Sequence, residues 1–189
     1  KESYSNPKEM GGMVLEDLTR LINGLYPEDQ APDPLAREAM EHEAYAQSRR
    51  LAFVGRENLL DSMDELLSIG GKPVLLIGEP GCGKSSLLAQ WSERHRKTFS
   101  DDLIIEHYIG STPDSAEWTN LVRRILGELK RNFNIEEDVP IELDALRTAL
   151  NEWSMKIKDC HRVVLVLDAL NQLVNDGTGR HYDWLPASF

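Results

Sequence analysis

The chain has no apolar run approaching the roughly 18 residues that span a bilayer, and its first residues, Lys1-Glu2-Ser3-Tyr4, begin no signal peptide. Neither a membrane-spanning helix nor a secretory leader is expected. Cysteine is scarce: Cys82 and Cys160 are the two present, far apart in the chain. A disulfide framework is therefore not expected, and a reducing, cytoplasmic compartment is. Positive charge is also short, with 21 Lys and Arg against 32 Asp and Glu and a formal net charge of -11. That balance opposes binding to a nucleic-acid backbone. It leaves room for a single nucleotide, because a cradle of backbone N–H groups and one lysine needs no basic surface. No internal repeat or low-complexity segment is visible. The hydrophobic fraction of 41% and charged fraction of 28% are those of an ordinary folded chain, and 189 residues suit one core with an appendage. A start without Met and an end at Pro186-Ala187-Ser188-Phe189 give the expectation of a piece cut from something longer.

Hydrophobic spacing predicts a helix over 13–25, carried by Val14, Leu15, Leu18, Leu21, Ile22 and Leu25 and ended by Tyr26-Pro27. Asp33 can cap and Pro34 can open a second, mostly polar helix to about Arg50, read as a linker or docking arm. Leu59, Leu60, Met63, Leu66 and Leu67 mark a third helix ending at Gly70-Gly71. Pro73-Val74-Leu75-Leu76-Ile77 reads as a strand buried on both faces of a parallel sheet. Helix follows from Lys84 to about Arg96, strand over 103–109, helix over 114–133, helix over 144–158 and a buried strand over 162–168 that ends in an acid.

Gly78-Glu79-Pro80-Gly81-Cys82-Gly83-Lys84-Ser85 matches G-x-x-x-x-G-K-[ST] between a predicted strand and a predicted helix, with Ser86 continuing the loop. Glycines allow successive N–H groups to converge on phosphate oxygens, and the helix N-terminus adds its dipole. Lys84 reaches the β- and γ-phosphates and Ser85 offers a hydroxyl to Mg²⁺. An acid at the tip of a neighbouring strand must also hold Mg²⁺, and Asp168 after Val163-Val164-Leu165-Val166-Leu167 is the candidate. Past it, Asn171 and Gln172 can hydrogen-bond an attacking water but cannot take its proton, so turnover is expected to be slow.

Together these stretches resemble the STAND class of signalling ATPases, specifically NACHT-type domains of nephrocystin-3-like proteins that carry tetratricopeptide repeats. The resemblance rests on Phe53-Val54-Gly55-Arg56-Glu57, the loop from Gly78 to Ser85, His107-Tyr108-Ile109-Gly110-Ser111-Thr112, and Leu165-Val166-Leu167-Asp168-Ala169-Leu170-Asn171-Gln172-Leu173. It implies an α/β P-loop NTPase with a three-layer α/β/α parallel-sheet core, of which this chain is the N-terminal part, preceded by α-helical linker segments. It further implies ATP or ADP with Mg²⁺ as cofactors, Val54, Gly55 and Arg56 against the adenine, and Asp168 on Mg²⁺. Such domains often place a second acid where this chain has Asn171. The implied organisation is a helical segment of an upstream region over 1–30, a linker helix over 31–50 and the truncated domain over 51–189. The sheet of that family interposes a further strand between the one before the loop and the one ending in Asp168, so a gap with unpaired backbone is expected here.

The leading functional expectation is a nucleotide-gated switch with protein partners outside this segment and nucleotide-dependent self-assembly. A cycling ATPase acting on nucleic acid, which an acidic chain disfavours, and a scaffold with a structural nucleotide are the alternatives. No Asn-Lys-x-Asp guanine-reading segment appears. His42, His95, His107, His161 and His181 show no metal-ligand spacing among themselves or with the two cysteines, so no zinc site is expected. Trp91, Trp118 and Trp153 are expected in the core, and Glu136-Glu137-Asp138 in a solvated loop.

Overall fold

The structure, a computed structural model, describes residues 6–25, 32–51, 53–69, 72–157, 162–174 and 184–185. The Tyr26-Pro27 helix end, the Gly70-Gly71 turn, Cys160, His161 and His181 lie outside these. By contact density the chain divides into two units, Lys1–Arg37 and Glu38–Phe189. The first holds α1 (Pro7–Leu25), which starts six residues earlier than apolar spacing alone indicates. Its stripe of Leu15, Leu18, Leu21 and Leu25 is exposed. No helix of the described residues is long and apolar enough to cross a membrane.

α2 (Pro34–Arg50) begins where Asp33 accepts the Ala36 N–H at 2.9 Å, so the expected cap is made. The remaining elements are α3 (Glu57–Ile69), α4 (Lys84–Thr98), β1 (Leu103–Tyr108), α5 (Trp118–Phe133), α6 (Leu143–Ile157) and β2 (Val163–Asp168). β1 and β2 pair in parallel, Leu103 opposite Val163 through Tyr108 opposite Asp168.

Alternation along the strands divides their side chains between two helical layers. Ile104, Val164 and Val166 pack with Leu60 and Met63 of α3 and Leu87 and Trp91 of α4. Ile105, Leu165 and Leu167 pack on the opposite side with α5, α6 and Trp184. Trp91, Trp118 and Trp153 are buried as expected. Trp91 also donates from Nε1 to Asp64 at 2.8 Å, which fixes α3 on α4. Each such fully buried side chain contributes on the order of 1.5–3 kcal/mol relative to exposure.

Two sequence expectations are corrected. Residues 73–77 belong to no helix or paired strand among the described residues, and Leu75 and Ile77 are 74% and 82% exposed. Only Leu76 leans on a core cluster. An apolar run supplies a tendency to be buried but not a neighbour, and the unpaired backbone here agrees with the gap that the family resemblance implies. The helix expected over 114–133 is broken: a 3₁₀ turn, Pro113–Ala116, precedes α5. Ser115 explains the break, since its hydroxyl accepts from Gly110 N–H and donates to Thr112 O, while its carbonyl accepts from the His107 ring. The Glu136-Glu137-Asp138 loop is exposed, with Lys130 bonded to Asp138 and Lys156 to Glu137.

Candidate nucleotide site

The loop over 78–85 turns tightly because its glycines carry conformations that side chains resist. Gly81 has φ 78° and Gly83 φ 90°, both in the left-handed region. Gly78 has an ordinary backbone, but a Cβ there would stand 2.9 Å from Cys82 Sγ. Gly83 is the residue before α4, so the loop delivers the chain straight into the helix N-terminus, whose first N–H groups have no intrahelical acceptor. Lys84 bends back over the loop, Nζ donating to Gly78 O at 2.8 Å and Glu79 O at 3.0 Å.

Arg56 forms the other wall. Gly55 and Arg56 have φ of 73° and 64°, and this paired left-handed turn starts α3, with Leu59 N–H bonding to Arg56 O. The Arg56 guanidinium crosses to the loop, where Nη1 donates to Cys82 O at 2.7 Å. Val54 stands 88% exposed beside it. The family resemblance implies Val54, Gly55 and Arg56 against the base; the contact to the loop carbonyl joins segments 26 residues apart, so no local pattern announces it.

Asp168 ends β2 opposite Tyr108 and is buried, with its carbonyl accepting from Ile109 N–H at 3.3 Å. α4 packs on both strands and reaches β1 through the four residues 99–102, so it runs opposite to them. Its N-terminus therefore lies at the carboxyl end of the sheet, the end that carries Asp168 and the end at which open α/β sheets bind ligands. After Asp168, Ala169 adopts φ 59° and residues Leu170–Gln172 form a 3₁₀ turn with Asn171 exposed. Gln172 Oε1 would be 2.9 Å from a Cβ at Gly110, so the loops after the two strands interlock there.

These residues fit a magnesium nucleotide. Left-handed glycines and a helix N-terminus could turn N–H donors to a phosphate, Lys84 is a cation already turned into the loop, and Ser85 and Asp168 carry hard oxygens of the kind that Mg²⁺ takes. When bound, the ion would neutralise charge on the phosphates. Cys82 is a free, exposed thiol in this loop.

Ionisable groups also gather at the far edge of β1. The Tyr108 hydroxyl donates to Glu106 at 2.6 Å, and burial with that carboxylate holds the phenol well above its ordinary range. His107 is buried and pushed down to about 4, chiefly by desolvation, so its ring is neutral at pH 7. Sequence spacing did not connect His107 with His42, which the fold brings into ring contact.

No solved structure matches the chain. Among curated proteins it is similar to a TPR repeat-containing protein of Dictyostelium discoideum, 26% identical over 72% of this chain and 10% of that protein. Tetratricopeptide repeat protein 41 of Rattus norvegicus is 24% identical over 98% of this chain and 17% of its own length. Nephrocystin-3 of Mus musculus is 26% identical over 78% of this chain and 12% of its own. The chain thus spans a sixth or less of these relatives. A family-wide match covers residues 52–178, from just before Phe53 to beyond Asp168, and by it the chain belongs to the AAA ATPase domain family.

Proposed function

We propose that this chain is the nucleotide-binding part of a STAND-class, NACHT-type switch within the three-layer P-loop NTPase fold, holding ATP or ADP with Mg²⁺ and hydrolysing it slowly. The observation that carries the reading is the loop over 78–85 running into α4 with Lys84 folded over it, at the sheet end that bears Asp168. Lys84 neutralises the terminal phosphates, Ser85 and Asp168 share the magnesium, Ser86 and the loop N–H groups position the phosphates, and Val54, Gly55 and Arg56 lie toward the base. Arg56 couples that side to the loop through Cys82 O.

Slow turnover follows from Asn171, which can orient a water but cannot accept its proton at neutral pH. With hydrolysis slow, the nucleotide serves as a state marker, and differential contacts to the terminal phosphate bias assembly of the whole protein. Tetratricopeptide repeats in the names of the relatives support protein partners reached through other segments, and nucleotide-dependent homo-oligomers fit the same reading. A reducing, cytoplasmic setting suits the exposed Cys82.

Membership of the AAA ATPase domain family also fits a second reading, a cycling ATPase, for which nucleic acid is the substrate to test. The net charge of -11 counts against it. Equilibrium binding of ATP, ADP and GTP with Mg²⁺, to the full-length protein and its Lys84→Ala variant, with phosphate release followed in the same samples, separates the two. Tight adenine-selective binding that the variant loses, with little phosphate released, is expected. Rapid release stimulated many-fold by DNA would establish the cycling enzyme, and unchanged binding by the variant would remove the loop from the site.

A further inference from the structure

α2 and the end of β1 meet in a group of side chains that nucleotide binding does not use. Glu38 and His42 stand one turn apart on α2, and His42 Nε2 lies 3.8 Å from a Glu38 carboxylate oxygen. His107 sets its ring against His42 with centroids 4.3 Å apart. Both rings are buried, at 1% and 0% exposure. One nitrogen of each is engaged: His107 Nε2 donates to Ser115 O at 2.9 Å, and His42 Nδ1 accepts the Tyr108 N–H at 3.2 Å. The other nitrogens, His42 Nε2 and His107 Nδ1, have no hydrogen-bond partner. One ligating atom from each of Glu38, His42 and His107 lies within 4.8 Å of the other two.

A buried polar atom without a partner is costly and calls for an explanation. Two imidazoles and a carboxylate form a donor set that Zn²⁺ takes readily, with bonds of about 2.0–2.1 Å that place tetrahedral donors about 3.3 Å apart. The 3.8 Å between Glu38 and His42 is close to that spacing, and the 4.8 Å that bounds the whole set leaves a closure within reach of side-chain rotation. A backbone carbonyl on the far ring nitrogen fixes the tautomer of ligand histidines, and Ser115 O does this for His107, leaving Nδ1 as a lone pair.

We propose that Glu38, His42 and His107 form a zinc site that fastens α2 to β1, with a fourth position open to water from the adjoining cavity of about 120 Å³. Ligation by His42 Nε2 moves its proton to Nδ1, where Ser111 Oγ at 3.2 Å accepts it, at the cost of the Tyr108 N–H bond. Arg124 is the cation that opposes the ion. Glu38, Glu128 and Glu106 act on it, Glu106 being shared with Arg96, and burial still holds the guanidinium below its usual range. The site would hold the helix ahead of the AAA ATPase match against β1 one residue before Tyr108, the partner of Asp168. It stands independently of the nucleotide reading.

The test loads the full chain with Zn²⁺, dialyses it, and measures bound metal, with the visible spectrum of the Co²⁺-loaded protein recorded beside it. About one Zn²⁺ per chain and the intense bands of four-coordinate Co²⁺ are expected. Glu38→Gln should weaken zinc binding by more than the roughly tenfold that loss of a supporting partner causes, with circular dichroism unchanged. His107→Asn should abolish it. If His107→Asn fails to fold, Glu38→Gln decides, because that side chain is 28% exposed and its loss leaves the core intact. Zinc below a tenth of an equivalent, or binding of the same strength in the Glu38→Gln variant, would overturn the proposal.

Discussion

Gly83 excludes a side chain twice over. Its φ is 90°, and a Cβ there would meet Arg56 Nη1 at 3.0 Å. Gly83→Ala is expected to lose about 1–2 kcal/mol from the left-handed backbone alone. It should also push Arg56 off the Cys82 carbonyl, so that nucleotide titration shows weaker binding and chemical denaturation a lower midpoint. A variant that binds nucleotide as tightly as the parent would show that the Arg56 contact plays no part. At β2, Asp168→Asn keeps the shape of the side chain and removes the charge. ATP affinity should then lose its dependence on Mg²⁺, which titrations with and without the ion would read directly. At this scale legibility follows chain distance. The phosphate loop compresses its chemistry into eight consecutive positions, so the pattern is visible before any fold is known. His42 and His107 are 65 positions apart, and only Glu38 and His42, four apart on a helix, carried a local hint of ligand spacing.

Paired strands and most helices are readable from hydrophobic period, and α2 from Asp33 and Pro34 at its start, while the departures have identifiable causes. Residues 73–77 have the composition of a buried strand, yet composition cannot report whether a neighbour exists. The helix expected over 114–133 was interrupted because His107, from a different element, takes the Ser115 carbonyl. A matched pair of substitutions tests the first difference. Leu126 in α5 is fully buried and Leu75 is 74% exposed. Leu126→Ala should therefore cost about 2–5 kcal/mol, whereas Leu75→Ala should stay within about 0.5 kcal/mol. Comparable losses in urea denaturation would mean that residues 73–77 are covered in solution.

For the whole molecule, nucleotide binding and stability are linked, since a ligand that binds only the folded chain adds about 2.7 kcal/mol at one hundred times its Kd. With about 2–4 °C per kcal/mol for a domain of this size, ADP with Mg²⁺ should raise the melting temperature by about 5–10 °C. The Lys84→Ala variant should show no such rise, and calorimetry at graded ADP concentrations would detect any exception. The parallel register has a kinetic meaning as well. Leu103 finds Val163 only after a long intervening loop has closed, and that loop contains α5 and α6. Closing it as an open coil is entropically slow, whereas prior docking of α5 on α6 shortens the effective search. Refolding should thus run from the helical hairpin to the sheet. In pulsed hydrogen exchange, the amides of α5 and α6 would be protected before those of β1 and β2, and the carboxyl end bearing Asp168 would be among the last parts of the chain to take its final form.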